Sequence, residues 1–228
     1  MRILTVSDKV EPVLYGPYIR ERVGKVDLIL ACGDLPYYYL DYIVSLLDVP
    51  IFLVHGNHDK PVQRHSAGEP EADHHEAGLQ WAIDLHGEVY NHSGLLLAGL
   101  EGCRRYSPGK PYQYSEPEVR LQTLKLGGRL VLNKMRHGRH LDIMMTHAPP
   151  RGIHDAEDVP HQGFESYLWL INRFQPMLFI HGHQHIYNRN LATETMLGKT
   201  RILNTYGYRV IDLEPHKDGG WELVSSSR

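Results

Sequence analysis

Short, nearly continuous apolar runs recur along this chain, and they constrain its fold more than any other feature. They lie at 2–7 (RILTVS), 26–32 (VDLILAC), 50–54 (PIFLV), 95–100 (LLLAGL), 141–146 (LDIMMT) and 177–181. Runs this short, without polar alternation, are expected of strands buried on both faces. Between the second and third runs, Leu40, Ile43, Val44 and Leu47 recur every three or four residues, which predicts an amphipathic helix over 37–48. Further helices are predicted over 12–23, 116–137 and 164–173, with Gly127 and Gly128 weakening the 116–137 helix. A short helix is expected around 76–83. The stretches 60–80, 103–115 and 147–162 read as loops. Three C-terminal strands are expected near 201–205, 208–213 and 221–224, with no helices between them. Strands alternating with helices imply βαβ units around a buried sheet, and the last strands suit antiparallel additions. The expected class is α/β, a sandwich of two mixed β-sheets flanked by helices, with residues 1–228 forming a single domain.

Composition narrows the function classes. Hydrophobic residues make up 42% of the 228 and charged residues 22%, which excludes wholesale disorder. The net charge of −3 provides no global basic field, so nucleic acid is not the favoured partner. No apolar run approaches the ~20 residues of a membrane span. The N-terminus reaches Lys9 and Pro12 too early for a signal peptide. Cys32 and Cys103 stand far apart without a CxxC partner, so neither a disulfide framework nor a cysteine zinc site is expected, and a cytoplasmic location is the default. The 16 histidines are the oddity. Their placement matters more than their number.

Five of the apolar runs end in metal-ligating residue types. Asp8 follows the first, Gly33-Asp34 the second, and His55-Gly56-Asn57-His58-Asp59 the third. His147 follows 141–146, and Gly182-His183-Gln184-His185 follows 177–181. Ligands of α/β sheets bind outside the carboxyl ends of the strands, so these side chains would converge on one rim. Oxygen and nitrogen donors without sulfur suit Mn, Fe, Zn, Ni or Co. Six such ligands are too many for one tetrahedral zinc but fit two ions sharing a bridging carboxylate. Two ions roughly 3.5–4 Å apart can clamp the attacking and leaving oxygens of a phosphoryl displacement. Taken singly, each residue has a bland reading. Asp8 could cap a helix, Asp34 and Asn57 could serve turns, His58 could be a surface histidine, and Asp59 could cap a loop before Pro61. His55 and His181 read as packed or supporting histidines, and His74 and His75 as solvated loop residues. No Gly-x-Ser-x-Gly elbow, P-loop or strand-linked GxGxxG is present, which excludes those hydrolase and nucleotide-binding classes.

The ordered set Asp8, Gly33-Asp34, Gly56-Asn57-His58-Asp59, Thr146-His147 and Gly182-His183-x-His185 resembles the calcineurin-like metallophosphoesterases across most of the chain. The resemblance implies a four-layer αββα sandwich and hydrolysis of phosphomonoesters or phosphodiesters by a metal-bridging hydroxide. It also implies roles. Asp34 bridges two divalent transition metal ions (Mn, Fe, Zn or Ni, with Mn favoured). Asp8 and His185 hold the first ion, and Asn57, His147 and His183 the second. His58 stabilises the transition state or protonates the leaving oxygen, with Asp59 orienting it. One position departs from the pattern: where the family's first motif is Asp-x-His, this chain has Asp8-Lys9-Val10. The first ion then keeps Asp8, Asp34 and His185 only. Water can fill the gap and leave that ion weakly held, or His55, Glu11 or Glu101 can replace the missing ligand. Lys9 either attracts phosphate or points to solvent. In the basic, aromatic stretch 103–115, Arg104 and Tyr106 are candidate substrate-binding residues, the alternative being tyrosines packed at a sheet edge. The expected activity is a metal-dependent phosphoesterase acting on small or nucleotide-like esters, with no membrane partner. The alternative is a catalytically weakened scaffold of the same fold used for protein interaction.

Overall fold

The structure is a computed structural model that describes residues 1–61, 81–186, 192–217 and 219–227. His74, His75 and most of the expected 76–83 helix fall outside the described residues. Strands and helices are numbered in chain order.

One sheet carries β1 (Arg2–Ser7), β2 (Leu28–Ala31), β3 (Ile51–Leu53) and β4 (Ile83–Asp84) side by side and parallel. β13 (Gly207–Pro215) pairs antiparallel with the other side of β1, and β14 (Trp221–Ser227) lies outside it. In the second sheet β6 (Leu95–Leu100), β9 (Ile143–Thr146), β10 (Leu178–His181) and β12 (Thr200–Asn204) are parallel neighbours. β5 (Val89–His92) and β11 (Glu194–Leu197) close its two edges antiparallel. Both sheets are thus mixed, with parallel centres. The helices are α1 (Ile19–Val23), α2 (Tyr37–Leu47), α3 (Glu116–His137) and α4 (Glu165–Phe174).

Strand pleating sorts the buried side chains into three layers. Leu4 and Val6 of β1 point one way, onto Ile19 and Val23 of α1 and Leu40 and Ile43 of α2. Ile3 points the other way, into a middle layer where Leu28, Leu30 and Phe52 meet Leu97, Ile143, Met145 and Ile180 of the second sheet. Leu96, Ala98, Met144 and Phe179 face outward from that sheet onto Val119, Leu126 and Leu130 of α3 and Leu170 and Phe174 of α4. Helix, sheet, sheet, helix is the order that three apolar layers require. No helix among the described residues is long and apolar enough to cross a membrane.

The local differences from expectation have local causes. The 12–23 helix shortens to Ile19–Val23 because Pro12, Gly16 and Pro17 break the segment into turns. Ile83 starts a strand instead of ending a helix. The stretch 103–115 is not wholly irregular: β7 (Cys103–Arg104) and β8 (Gln113–Tyr114) pair within it. α3 keeps the predicted bounds despite its two glycines. A Ser115–Glu118 capping box starts it and Gly138, at φ 75°, ends it.

Candidate metal centre

Four strand ends bring the centre together. Asp34 follows β2 and Asn57 follows β3 in one sheet. His147 follows β9 and His183 follows β10 in the other. Around His147 Nε2 stand Asn57 Oδ1 at 3.1 Å, His183 Nδ1 at 3.1 Å and Asp34 Oδ2 at 3.3 Å.

The hydrogen-bond network assigns the lone pairs. His147 Nδ1 lies 2.7 Å from the Cys32 carbonyl and must donate to it, so Nε2 of the neutral ring carries the lone pair. His183 Nε2 likewise donates to the Pro160 carbonyl at 2.8 Å, which leaves the lone pair on Nδ1. Asn57 donates its Nδ2–H to the Tyr106 hydroxyl at 3.1 Å, which aims its carbonyl oxygen inward. Two imidazole nitrogens, an amide oxygen and a carboxylate oxygen therefore converge as acceptors. Only positive charge reconciles them. With metal–ligand bonds of about 2.0–2.2 Å, neighbouring donors sit roughly 3.0–3.5 Å apart, the range of the three distances from His147 Nε2. Each imidazole also donates its outer N–H to a backbone carbonyl, the usual orientation for metal-bound histidine. The donor set therefore fits a divalent transition metal ion.

Without an ion, a proton on His147 Nε2 supplies the positive charge that these acceptors require, and a bound ion would have to displace it. Burial opposes charge on His147, yet Asp34 and Asp8 outweigh it and raise its imidazole to about 9. Burial also pushes the Asp34 carboxyl up, but His147 and the His58 amide hold it at about 2. His183 is lowered to about 3 by burial and by His147 beside it.

The Asp8 side is sparser. Burial pushes the Asp8 carboxyl up to about 7, and it accepts the Ser7 hydroxyl at 2.5 Å and the His183 amide at 2.9 Å. His185 Nε2 is 3.9 Å from Asp8 Oδ1, with its ring tilted against Tyr206. Val10 packs onto the apolar layer under α1 and α2 and offers no donor. Lys9 does not reach for phosphate; it pairs with Glu11 at 2.9 Å. That occupies one residue considered as a replacement ligand. The other two, His55 and Glu101, group with Asp84 instead.

A cavity of about 210 Å³ opens over the centre, lined by Asp34, Asn57, His58, Tyr106, His161, His183 and His185, together with Pro160. His58 is exposed on its wall and anchors its backbone N–H on Asp34 Oδ1 at 2.8 Å. Asp59 is not directed at His58. Its Oδ2 accepts the backbone N–H groups of Gly56 at 2.8 Å and Asp34 at 3.2 Å, so it fixes the two turns that present the candidate ligands. Arg104 does not reach the cavity, whereas Tyr106 does. The Arg104 guanidinium donates to Glu116 at 2.8 Å and lies over the Phe164 ring. His161 was not singled out from the sequence. Its signal is its place in the long loop after the β9 strand end, where it bonds Asp158 and stands 5.2 Å from the His183 ring.

The fold has solved counterparts. One crystal structure superposes with a TM-score of 0.62 at 16% identity, covering 97% of each chain. The structure of TT1561 of Thermus thermophilus gives a TM-score of 0.61 at 16% identity, covering 92% of this chain and 93% of that one. No curated protein matches the sequence. The sequence profile of the calcineurin-like phosphoesterases matches residues 8–187. That segment holds every candidate ligand from Asp8 to His185, and the chain belongs to the calcineurin-like phosphoesterase family.

Proposed function

We propose that this protein is a divalent-metal-dependent phosphoesterase that hydrolyses small phosphate monoesters or diesters. The observation that carries the reading is that Asn57, His183 and Asp34, drawn from two sheets, each bring a ligand atom within 3.3 Å of His147 Nε2 beneath an open cavity. Asp34, Asn57, His147 and His183 would hold one ion. Asp8 and His185, with Asp34 as the shared carboxylate, offer three donors to a second, and Val10 leaves that ion the more exchangeable. Bound divalent ions supply charge to phosphoryl oxygens and make a water nucleophilic near neutral pH. Mn²⁺, Fe²⁺, Zn²⁺ and Ni²⁺ all suit these donors.

The side chains do the rest. His58 presents its imidazole at the cavity wall, where it can protonate the departing oxygen. Tyr106 accepts from Asn57 and so keeps its own proton to donate to a phosphoryl oxygen. Asp59 acts through Asp34 as a positioning residue. A cavity of about 210 Å³ takes a phosphate and a small organic group, and a net charge of −3 gives no field for a polyanion.

The test is hydrolysis of bis(p-nitrophenyl) phosphate and p-nitrophenyl phosphate with added Mn²⁺ or Zn²⁺, in the wild type and in His58→Asn. Metal-dependent turnover is expected, falling about 10²–10⁴-fold in His58→Asn with metal binding retained. Absence of turnover with every metal, in the wild type and His58→Asn alike, would overturn the reading in favour of a scaffold, whereas metal-dependent turnover at equal rates would remove His58 from the chemistry.

A further inference from the structure

A second group of chemistry-bearing side chains stands on the same rim. His55 follows β3, Asp84 ends β4 and Glu101 follows β6. One ligand atom from each of the three lies within 4.8 Å of the others. His55 is 5% exposed and Glu101 7%, whereas the Asp84 side chain is half-exposed.

Each of the three is held in place. The Tyr112 ring stacks on His55 at 4.8 Å with an interplanar angle of 16°. His55 Nδ1 faces Asp59 Oδ2 at 3.8 Å, and Nε2 faces Asp84 Oδ2 at 4.0 Å, both beyond direct hydrogen bonding. The buried imidazole thus turns Nε2 to the cluster, with the Asp59 carboxylate on its other side at 3.8 Å, longer than the hydrogen bond that metal-bound histidines make. The His86 amide donates to Asp84 Oδ1 at 2.8 Å, leaving Oδ2 turned to His55. His86 Nδ1 accepts the Glu101 amide at 3.1 Å, so its Nε2 keeps a proton and points it at Glu101 Oε1, 3.6 Å away. The Tyr114 hydroxyl donates to that same oxygen at 2.5 Å. His86 and Tyr114 therefore orient Glu101, and His86 is itself not a ligand.

We propose that His55, Asp84 and Glu101 bind a further divalent transition metal ion, separate from the Asp34–His147–His183 centre. One imidazole and two carboxylates suit Zn²⁺ or Mn²⁺, with water completing the shell. Neighbouring donors on one ion sit roughly 3.0–3.5 Å apart, so the 4.0 Å between His55 and Asp84 would close by about 0.5–1 Å on binding, a movement open to the half-exposed Asp84 side chain. The half-exposed Asp84 provides the entry path. Asp59 links this site to the other: its Oδ2 faces His55 while accepting the amides of Gly56 and Asp34. An ion on His55 Nε2 draws the Nδ1 proton toward Asp59 and stiffens the turn that presents Asp34.

The experiment is zinc stoichiometry after equilibrium dialysis, by elemental mass spectrometry, for the wild type, Asp84→Asn and Glu101→Gln. The same substitutions are repeated on a His147→Ala background. Each variant is expected to bind one zinc fewer than its parent on both backgrounds, with an unchanged circular dichroism spectrum. A proton on His55 would satisfy the same carboxylates, and then all three proteins bind equal zinc, which overturns the proposal. A deficit present in the wild type and absent in His147→Ala also overturns it, because the carboxylates would then act through the other centre. If Glu101→Gln does not fold, Asp84→Asn decides alone. Stoichiometry is read without turnover, so the result is independent of whether phosphate esters are hydrolysed.

Discussion

Asp8, Asp34 and His183 share a backbone conformation that few residues other than glycine adopt, with φ of 63°, 58° and 64°. Aspartate and histidine tolerate this region better than branched or bulky residues do, and each of these turns swings a polar side chain over a strand end. The neighbouring glycines are there for space. A Cβ on Gly56 would collide with Asp34 Oδ1 and lie 2.7 Å from the Asp34 backbone nitrogen. A Cβ on Gly182 would collide with Ser7 Oγ and come within 2.5 Å of Asp8 Oδ2. Gly56→Ala must therefore displace Asp34. It is expected to weaken Mn²⁺ or Zn²⁺ binding at least tenfold by calorimetric titration and to cost about 1–3 kcal/mol in urea unfolding. Wild-type metal affinity in this variant would show that Asp34 is not a ligand.

The two consecutive glycines of α3 separate at the level of the element. A Cβ on Gly127 would come 3.1 Å from the Phe174 ring of α4, whereas one on Gly128 meets nothing within 4 Å. Gly128→Ala is therefore expected to stabilise the fold by roughly 0.5–1 kcal/mol through the lower cost of ordering the chain. Gly127→Ala should show no such gain. Urea midpoints of the two variants check this, and equal shifts would mean that α3 and α4 are not packed as described. The β1–β13 pairing carries a pH signature. Arg2 and Asp212 stand opposite in register, with Nε–Oδ1 at 2.7 Å and Nη2–Oδ2 at 2.9 Å. Arg2 holds the Asp212 carboxyl below its ordinary value. A depressed carboxyl contributes stability above its unfolded pKa of about 3.9 and loses it as pH falls through the lower folded value. Both side chains are partly exposed, at 41% and 30%, so the contribution is at most about 1 kcal/mol. Asp212→Asn should be less stable than the wild type by that amount at pH 7, with the gap closing below about pH 4. A gap that persists at pH 2 would assign the loss to packing.

Across the whole molecule, the candidate metal centre is a tie between two sheets. Asp34 and Asn57 come from one sheet and His147 and His183 from the other, so an ion held by all four would bind only the folded state. At a hundredfold excess over Kd such a ligand adds about 2.7 kcal/mol, or roughly 5–11 °C in Tm for a domain of this size. Added Zn²⁺ or Mn²⁺ should therefore raise Tm in the wild type, EDTA should reverse the shift, and His147→Ala should show much less of it. Equal shifts in both proteins would place the ion elsewhere. Much of this arrangement was legible in the amino-acid order, because apolar runs, helical spacing and the residue that ends each strand are local properties. β1, β6 and α3 have the bounds read from the sequence, and the polar groups after β1, β2, β3, β9 and β10 follow from strand direction alone. The short strands β4, β5, β7, β8 and β11 were not legible. They are two to four residues long and exist because a neighbour supplies their hydrogen bonds. Tertiary structure also decided that Tyr106 and not Arg104 reaches the cavity, that Asp59 serves Asp34, that the partly buried Val10 packs against the apolar layer, and that His55 and Glu101 meet Asp84. The sequence by itself determined which residues end the strands. Which of those residues share a site was decided only when two sheets stacked face to face, since pairs such as Asp8 and His183 are 175 positions apart and meet through packing that no local pattern records.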